Sequence, residues 1–211
     1  MLKRAIVTFL IAASAQLASA SGLKSLENFL QNTQAGQAEF TQVVTLPAKD
    51  GQAARSKTSS GSFAFQRPGR FKFVYQKPFA QTIVADGQTL WLYDADLNQV
   101  TQRKQADALG STPAALLASA ADLAALRAQF TLEDAPAQDG LEWVQATPKT
   151  KDGQLQRVRV GFAGEQLAAL DILDSFGQRS LIRFSHVQSL PALPPGTFAF
   201  KPPAGADVLR Q

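Results

Sequence analysis

Between residues 63 and 100 large apolar side chains recur at alternate positions, and this period of two dominates the chain. Phe63 and Phe65 share one face, and Phe71, Phe73 and Tyr75 share the next, with Pro68-Gly69 and Asp86-Gly87 supplying turns between the runs. The segment predicts a β-meander whose oily face carries no catalytic group. Upstream, Leu23, Leu26, Phe29 and Leu30 are spaced by three and four behind Ser21, a good N-cap, which predicts an amphipathic helix over 22–33 lying by one face on a sheet. Residues 38–46 alternate again, Phe40, Val44 and Leu46 opposing Glu39, Thr41 and Thr45, and form a first strand.

Residues 48–62 are polar and predict a long hairpin connection into the meander. Ser111-Thr112-Pro113 then supplies a cap and a first-turn proline for a helical stretch rich in alanine. Further strands are expected at 130–133, 141–146, 155–162, 167–173, 180–187 and 198–200, punctuated by Asp139-Gly140, Asp152-Gly153 and Phe176-Gly177 turns. Ten or eleven antiparallel strands result, and a twisted sheet of that width curls. The predicted fold is mainly β, an unclosed antiparallel half-barrel with helices across its mouth.

At the N-terminus Lys3 and Arg4 precede an apolar run over 5–13 and a small-residue end, Ala18-Ser19-Ala20, the pattern of a secretory signal peptide cleaved after Ala20. Nine apolar residues fall well short of the roughly 20 that a spanning helix needs. A single mature domain over 21–211 is therefore expected, long enough to bury a sizeable core. Losing Lys3 and Arg4 lowers the net charge from +4 to +2, too weak for nucleic-acid binding. Cysteine is absent, which excludes disulfides, thiolate chemistry and lipid attachment through an N-terminal cysteine.

Candidate chemistry is sparse. His186 is the only histidine, with no metal-ligand spacing around it, and a nucleophile at Ser175 with Asp174 nearby lacks the G-x-S-x-G context. Asp94-Ala95-Asp96-Leu97-Asn98 opens like a calcium loop, but Gln99 and Gln105 occupy the required glycine and glutamate positions, so a polar turn is expected. No phosphate-cradling or dinucleotide motif occurs, and neither a cofactor nor a metal is expected.

Arg67 shares the parity of Phe63 and Phe65. A strand continuing to that point aims its guanidinium at the oily face, where five donors could hold the carbonyls of a helix end or loop; a strand already turned at Pro68 leaves it in water. The residues alone leave both open. They also leave open whether the aromatic rows make a solid core or a hollow one, although few helical residues and small alanines favour an underfilled concave sheet.

The segments QRPGRFKFVY and IVADGQTLWLYDADLNQVT, the helix start STPAALLAS, Gln37-Ala38-Glu39-Phe40-Thr41-Gln42 and the ending FAFKPPAGADV together resemble the periplasmic outer-membrane lipoprotein carriers of the LolA family, over nearly the whole mature chain. The resemblance implies a monomer without enzymatic activity, a lidded half-barrel that takes lipoproteins from the inner-membrane exporter LolCDE and delivers them to the outer-membrane receptor LolB. On motif position it makes Arg67 the lid latch and Phe71 a contact with the exporter. The acyl-chain cavity is expected to be lined by Phe63, Phe65, Phe73, Tyr75, Ile83, Leu90, Leu92 and Leu116, Phe73 standing where the family often has tryptophan. LolB itself carries an acylated cysteine, so the missing cysteine favours the soluble carrier. A LolA-like periplasmic sensor of lipid or protein, and an atypical esterase using Ser175 and His186, are the alternatives.

Overall fold

The computed structural model describes residues 21–48, 53–108, 120, 122–150 and 153–211. The helix-start motif at 111–113 and Leu116 lie outside the described residues. Among those described, twelve strands form one sheet: β1 (Ala35–Leu46), β2 (Arg55–Gln66), β3 (Arg70–Lys77), β4 (Gln81–Asp86), β5 (Thr89–Asp94), β6 (Gln99–Lys104), β7 (Phe130–Gln138), β8 (Leu141–Pro148), β9 (Leu155–Ala163), β10 (Gln166–Asp174), β11 (Arg179–Leu190) and β12 (Asp207–Arg210). Their spatial order is β12-β6-β5-β4-β3-β2-β1-β11-β10-β9-β8-β7, so the sheet is unclosed, with β7 and β12 at its edges. Every pairing is antiparallel except that of β12 with β6, most of them as successive hairpins, with the long-range β1–β11 pair joining the two halves.

The long β1 is the spine, pairing β2 on one side from Ala35↔Gln66 to Leu46↔Arg55 and β11 on the other. That pairing corrects the expected 48–62 connection: residues 55–62 are strand. Arg-Ser-Lys-Thr-Ser-Ser-Gly-Ser has little strand propensity, but β1 offers it a full ladder of backbone partners, and the ladder wins. Bulges bend the spine. On β11 the register slips opposite Gln37 and Glu39, and His186 there takes φ 51°. Gly61 marks a second slip, and a Cβ there would collide with the Val74 carbonyl, so only glycine fits.

Three helices accompany the sheet among the described residues: α1 (Gly22–Asn32), the short α2 (Gln105–Ala108) and α3 (Leu123–Gln129). Ser21 caps α1 by accepting from the Lys24 N–H, and the Asp134 carboxylate on β7 accepts from the Ser21 hydroxyl and the Leu23 N–H. Gly22 seats this end directly against the backbone of Trp143. The apolar stripe Leu26, Phe29 and Leu30 is buried, and Phe29 bridges both halves of the sheet, its ring 5.8 Å from Phe65 and from Phe162.

Residues 198–200 are not a strand. After β11 the chain crosses the outer face: Leu193 donates to the Gln66 side chain, Phe198 lies under the Arg70 guanidinium, and Phe200 packs 5.5 Å from Trp91. This strap delivers β12 to the far edge, and Val84 and Val100 are fully buried. Across the other half of the outer face, buried Asp171 accepts two bonds from Arg179 and lies 3.9 Å from Arg159.

Candidate functional site

Register places the predicted side chains on one surface. Phe63 pairs with Phe73 and Phe65 with Phe71; Phe73 then pairs with Ile83, Ile83 with Leu92, and Phe71 with Ala85, which faces Leu90. Because side chains alternate, these all project to the inner face, as does Tyr75. Phe63, Phe65, Phe71, Phe73 and Leu90 are buried, and Tyr75, Ile83 and Leu92 are half-buried on the same face. Phe40, absent from the predicted set, completes the wall, 5.3 Å from Phe73 and 5.0 Å from Tyr75 in edge-on contact. Its parity with Val44 and Leu46 carried that information.

Arg67 takes the inward orientation and is 7% exposed. Its Nη1 donates to the Thr33 carbonyl, the residue that caps the C-terminus of α1, while its backbone N–H donates to the Gln34 carbonyl at 2.9 Å. The guanidinium lies between two rings, 4.8 Å from Phe29 and 5.3 Å from Phe65. Its Nε and Nη2 are buried with no acceptor among the described residues. Burial draws the Arg67 pKa from 12.5 down to about 10, so it stays charged at neutral pH inside an apolar setting. Phe29 was legible as part of the helix's apolar stripe, but Thr33, whose carbonyl takes the contact, carried no sequence signal of its own.

Beneath α1 the inner face is packed: the void bounded by Phe29, Phe63, Phe65, Leu167 and Phe184 is about 10 Å³. Nothing larger than one water enters there unless α1 moves. Toward the opposite rim a cleft of about 700 Å³ opens, lined by Gln42, Val44, Tyr75, Phe79, Gln81 and Leu97 among others. Leu46, Phe79, Leu97 and Phe176 are exposed apolar side chains around that rim and the neighbouring turn.

Phe71, expected to meet an exporter, is 1% exposed and faces the interior in this arrangement. Ser175 sits in the turn before β11, where its hydroxyl donates to the Gln154 carbonyl, and His186 lies seven residues along β11, beside Glu39 on the outer face. At about 3.3 Å per residue the two are on the order of 20 Å apart, which removes the esterase pair. Residues 94–98 form a hairpin turn in which the Asp94 carboxylate accepts from the Asp96 and Leu97 N–H groups.

An unclosed sheet with an aromatic inner wall, and a helix laid on its other half whose end rests on a buried cation, defines a carrier of hydrophobic ligands. The comparisons narrow that class. The profile of the family described as outer membrane lipoprotein carrier protein LolA matches residues 31–201, and the chain belongs to that family. Outer-membrane lipoprotein carrier proteins of Albidiferax ferrireducens and Leptothrix cholodnii are 69% and 52% identical to it, over 97% and 92% of this chain and 98% and 88% of their own. Among solved structures, an uncharacterized conserved protein from Thermus thermophilus shares the fold, with a TM-score of 0.51 at 13% identity over 90% of this chain and 96% of that one.

Proposed function

We propose that this LolA-family carrier works in the periplasm, receives lipoproteins from LolCDE, shields their acyl chains against the inner face of β1–β5, and delivers them to LolB. The observation that carries the reading is the continuous, largely aromatic wall from Phe40 to Leu92, met at Phe65 by the end of a helix that Arg67 holds. Removing one palmitoyl chain from water is worth on the order of 12 kcal/mol at about 0.8 kcal/mol per methylene, so free diffusion of an acylated protein is prohibitive. The carrier must offset most of that cost and still let go.

The closed interior suits this demand. Acyl chains that spread from the wall toward β9 and β10 require α1 to lift, and lifting breaks the Arg67–Thr33 contact while returning the guanidinium to water. Closure restores both, so it competes with cargo for the same surface. Carriage is a binding equilibrium and needs no bond-breaking step, so the chain is read as a non-enzyme.

Spheroplasts test this. With the mature protein added, outer-membrane lipoproteins should pass into the soluble fraction bound to it. Failure to release them under conditions where the Albidiferax ferrireducens relative does so would contradict the proposal and favour a sensor.

A further inference from the structure

Where the inner face passes from aromatic wall to open cleft, three polar side chains from three strands are linked. The Tyr75 hydroxyl on β3 donates to Gln42 Oε1 on β1 at 2.9 Å, and Gln42 Nε2 donates to Ser180 Oγ on β11 at 2.6 Å. The strand between β3 and β1 permits the reach. Gly61 on β2 pairs with both Tyr75 and Phe40, so no β2 side chain stands between them at this register. The Tyr75 ring meanwhile packs edge-on to Phe40, so its apolar body belongs to the wall and its oxygen to the chain of polar groups. Gln42 and Tyr75 also line the rim cleft, and Ser180 is 8% exposed.

Inward polar groups in a hydrophobic carrier require a reason, because burying them costs free energy that an apolar replacement would not. Their hydrogen inventory supplies one. A hydroxyl, an amide and a second hydroxyl hold four hydrogens, and the two bonds of the chain use two. With the amide turned either way, one hydroxyl hydrogen and one amide hydrogen remain unspent. A girdle with spare donors and no charge of its own matches a neutral carbonyl oxygen. Acyl chains are joined to a lipoprotein's N-terminal cysteine by ester and amide linkages, which present such oxygens where hydrocarbon ends and polar backbone begins. The girdle lies at the same kind of boundary, hydrocarbon wall on one side and a cleft of about 700 Å³ on the other.

We propose that Tyr75, Gln42 and Ser180 form a carbonyl-binding girdle that grips the ester linkages of the cargo lipid, so that acyl tails lie along the wall and the acylated cysteine sits in the rim cleft. This rests on the carrier reading above and adds to it a depth gauge: tails enter until their linkages meet the girdle.

The test compares two fluorescent probes on the mature protein, a cysteinyl peptide bearing two palmitoyl esters on its glyceryl thioether and the same peptide with two alkyl ethers of equal length. Two spare donors predict that the unaltered protein prefers the ester probe by about fivefold or more. The triple variant Tyr75→Phe, Gln42→Leu, Ser180→Ala, which holds no donor, should abolish that preference, and Tyr75→Phe with Gln42→Leu, which leaves the Ser180 hydroxyl alone, should reduce it. Equal affinity of the unaltered protein for ester and ether overturns the girdle and leaves the carrier intact. Binding of neither probe overturns the carrier reading and the girdle with it. Should these variants fail to fold, the ester-to-ether ratio of the unaltered protein decides alone.

Discussion

Replacing Arg67 by leucine separates the stability of the lid from its competition with cargo. In the closed state the guanidinium gains a charged hydrogen bond to Thr33, worth about 1.5–3 kcal/mol, and faces of Phe29 and Phe65 worth about 1–2 kcal/mol together. Against this stands desolvation, felt at the two buried nitrogens that go unmatched: a fall in pKa from 12.5 to about 10 corresponds to about 3 kcal/mol. These contributions nearly cancel, which leaves the lid poised. Leucine removes both sides of the balance and fills the same space between the rings, so the thermal midpoint should move by only a few degrees. Cargo release should change far more. The leucine variant has no Thr33 bond to re-form when tails leave and offers them extra apolar surface. Holding the tails about 2 kcal/mol more tightly on that added leucine surface slows handover about thirtyfold at 1.4 kcal/mol per decade. Stopped-flow transfer of a fluorescent triacylated lipoprotein from the carrier to acceptor liposomes measures it. A variant that transfers at the unaltered rate, or faster, would refute the latch.

Phe29→Ala should cost about 3–5 kcal/mol in urea unfolding, because the ring bridges Phe65 and Phe162 and no neighbour can fill its place. Tyr75 has its pKa pushed up from 10.0 to about 12 by burial, so its neutral form stabilises the fold below pH 10 and that contribution is lost as pH rises through 12. Between those limits the stability advantage of the unaltered protein over Tyr75→Phe should shrink by about 2–3 kcal/mol; a difference independent of pH would show that the phenol is not buried. His186→Ala should leave lipoprotein transfer unchanged, since the ring is exposed on the outer face beside Glu39, and a loss of transfer with intact folding would reopen catalysis.

Much of the site was legible because strand parity is a strict rule. Phe63, Phe65, Phe73, Tyr75, Ile83, Leu90 and Leu92 could be assigned to one surface before any register was known, since each run keeps period two. Arg67 shared their parity, but whether the strand reached it depended on the Gln34 backbone, which the local residues do not encode. The polar half of β2 was hidden for the opposite reason: its ladder comes from β1, a tertiary partner that overrides weak propensity. Phe198 and Phe200 alternate like a strand, yet they bury themselves as a strap over Arg70 and Trp91, and the real last strand is four residues paired in parallel with β6. Gln42 and Ser180 read as ordinary strand polar residues until the sheet set them facing inward together.

Lipoprotein cargo carrying a diazirine in its acyl chains would test most directly where the tails lie. After spheroplast release and illumination, mass spectrometry of the unaltered carrier should find adducts on inner-face residues such as Phe63, Phe73, Ile83 and Leu92. Adducts confined to the outer face, on Val74, Trp91 or Phe200, would contradict an aromatic wall that serves as the acyl-chain site.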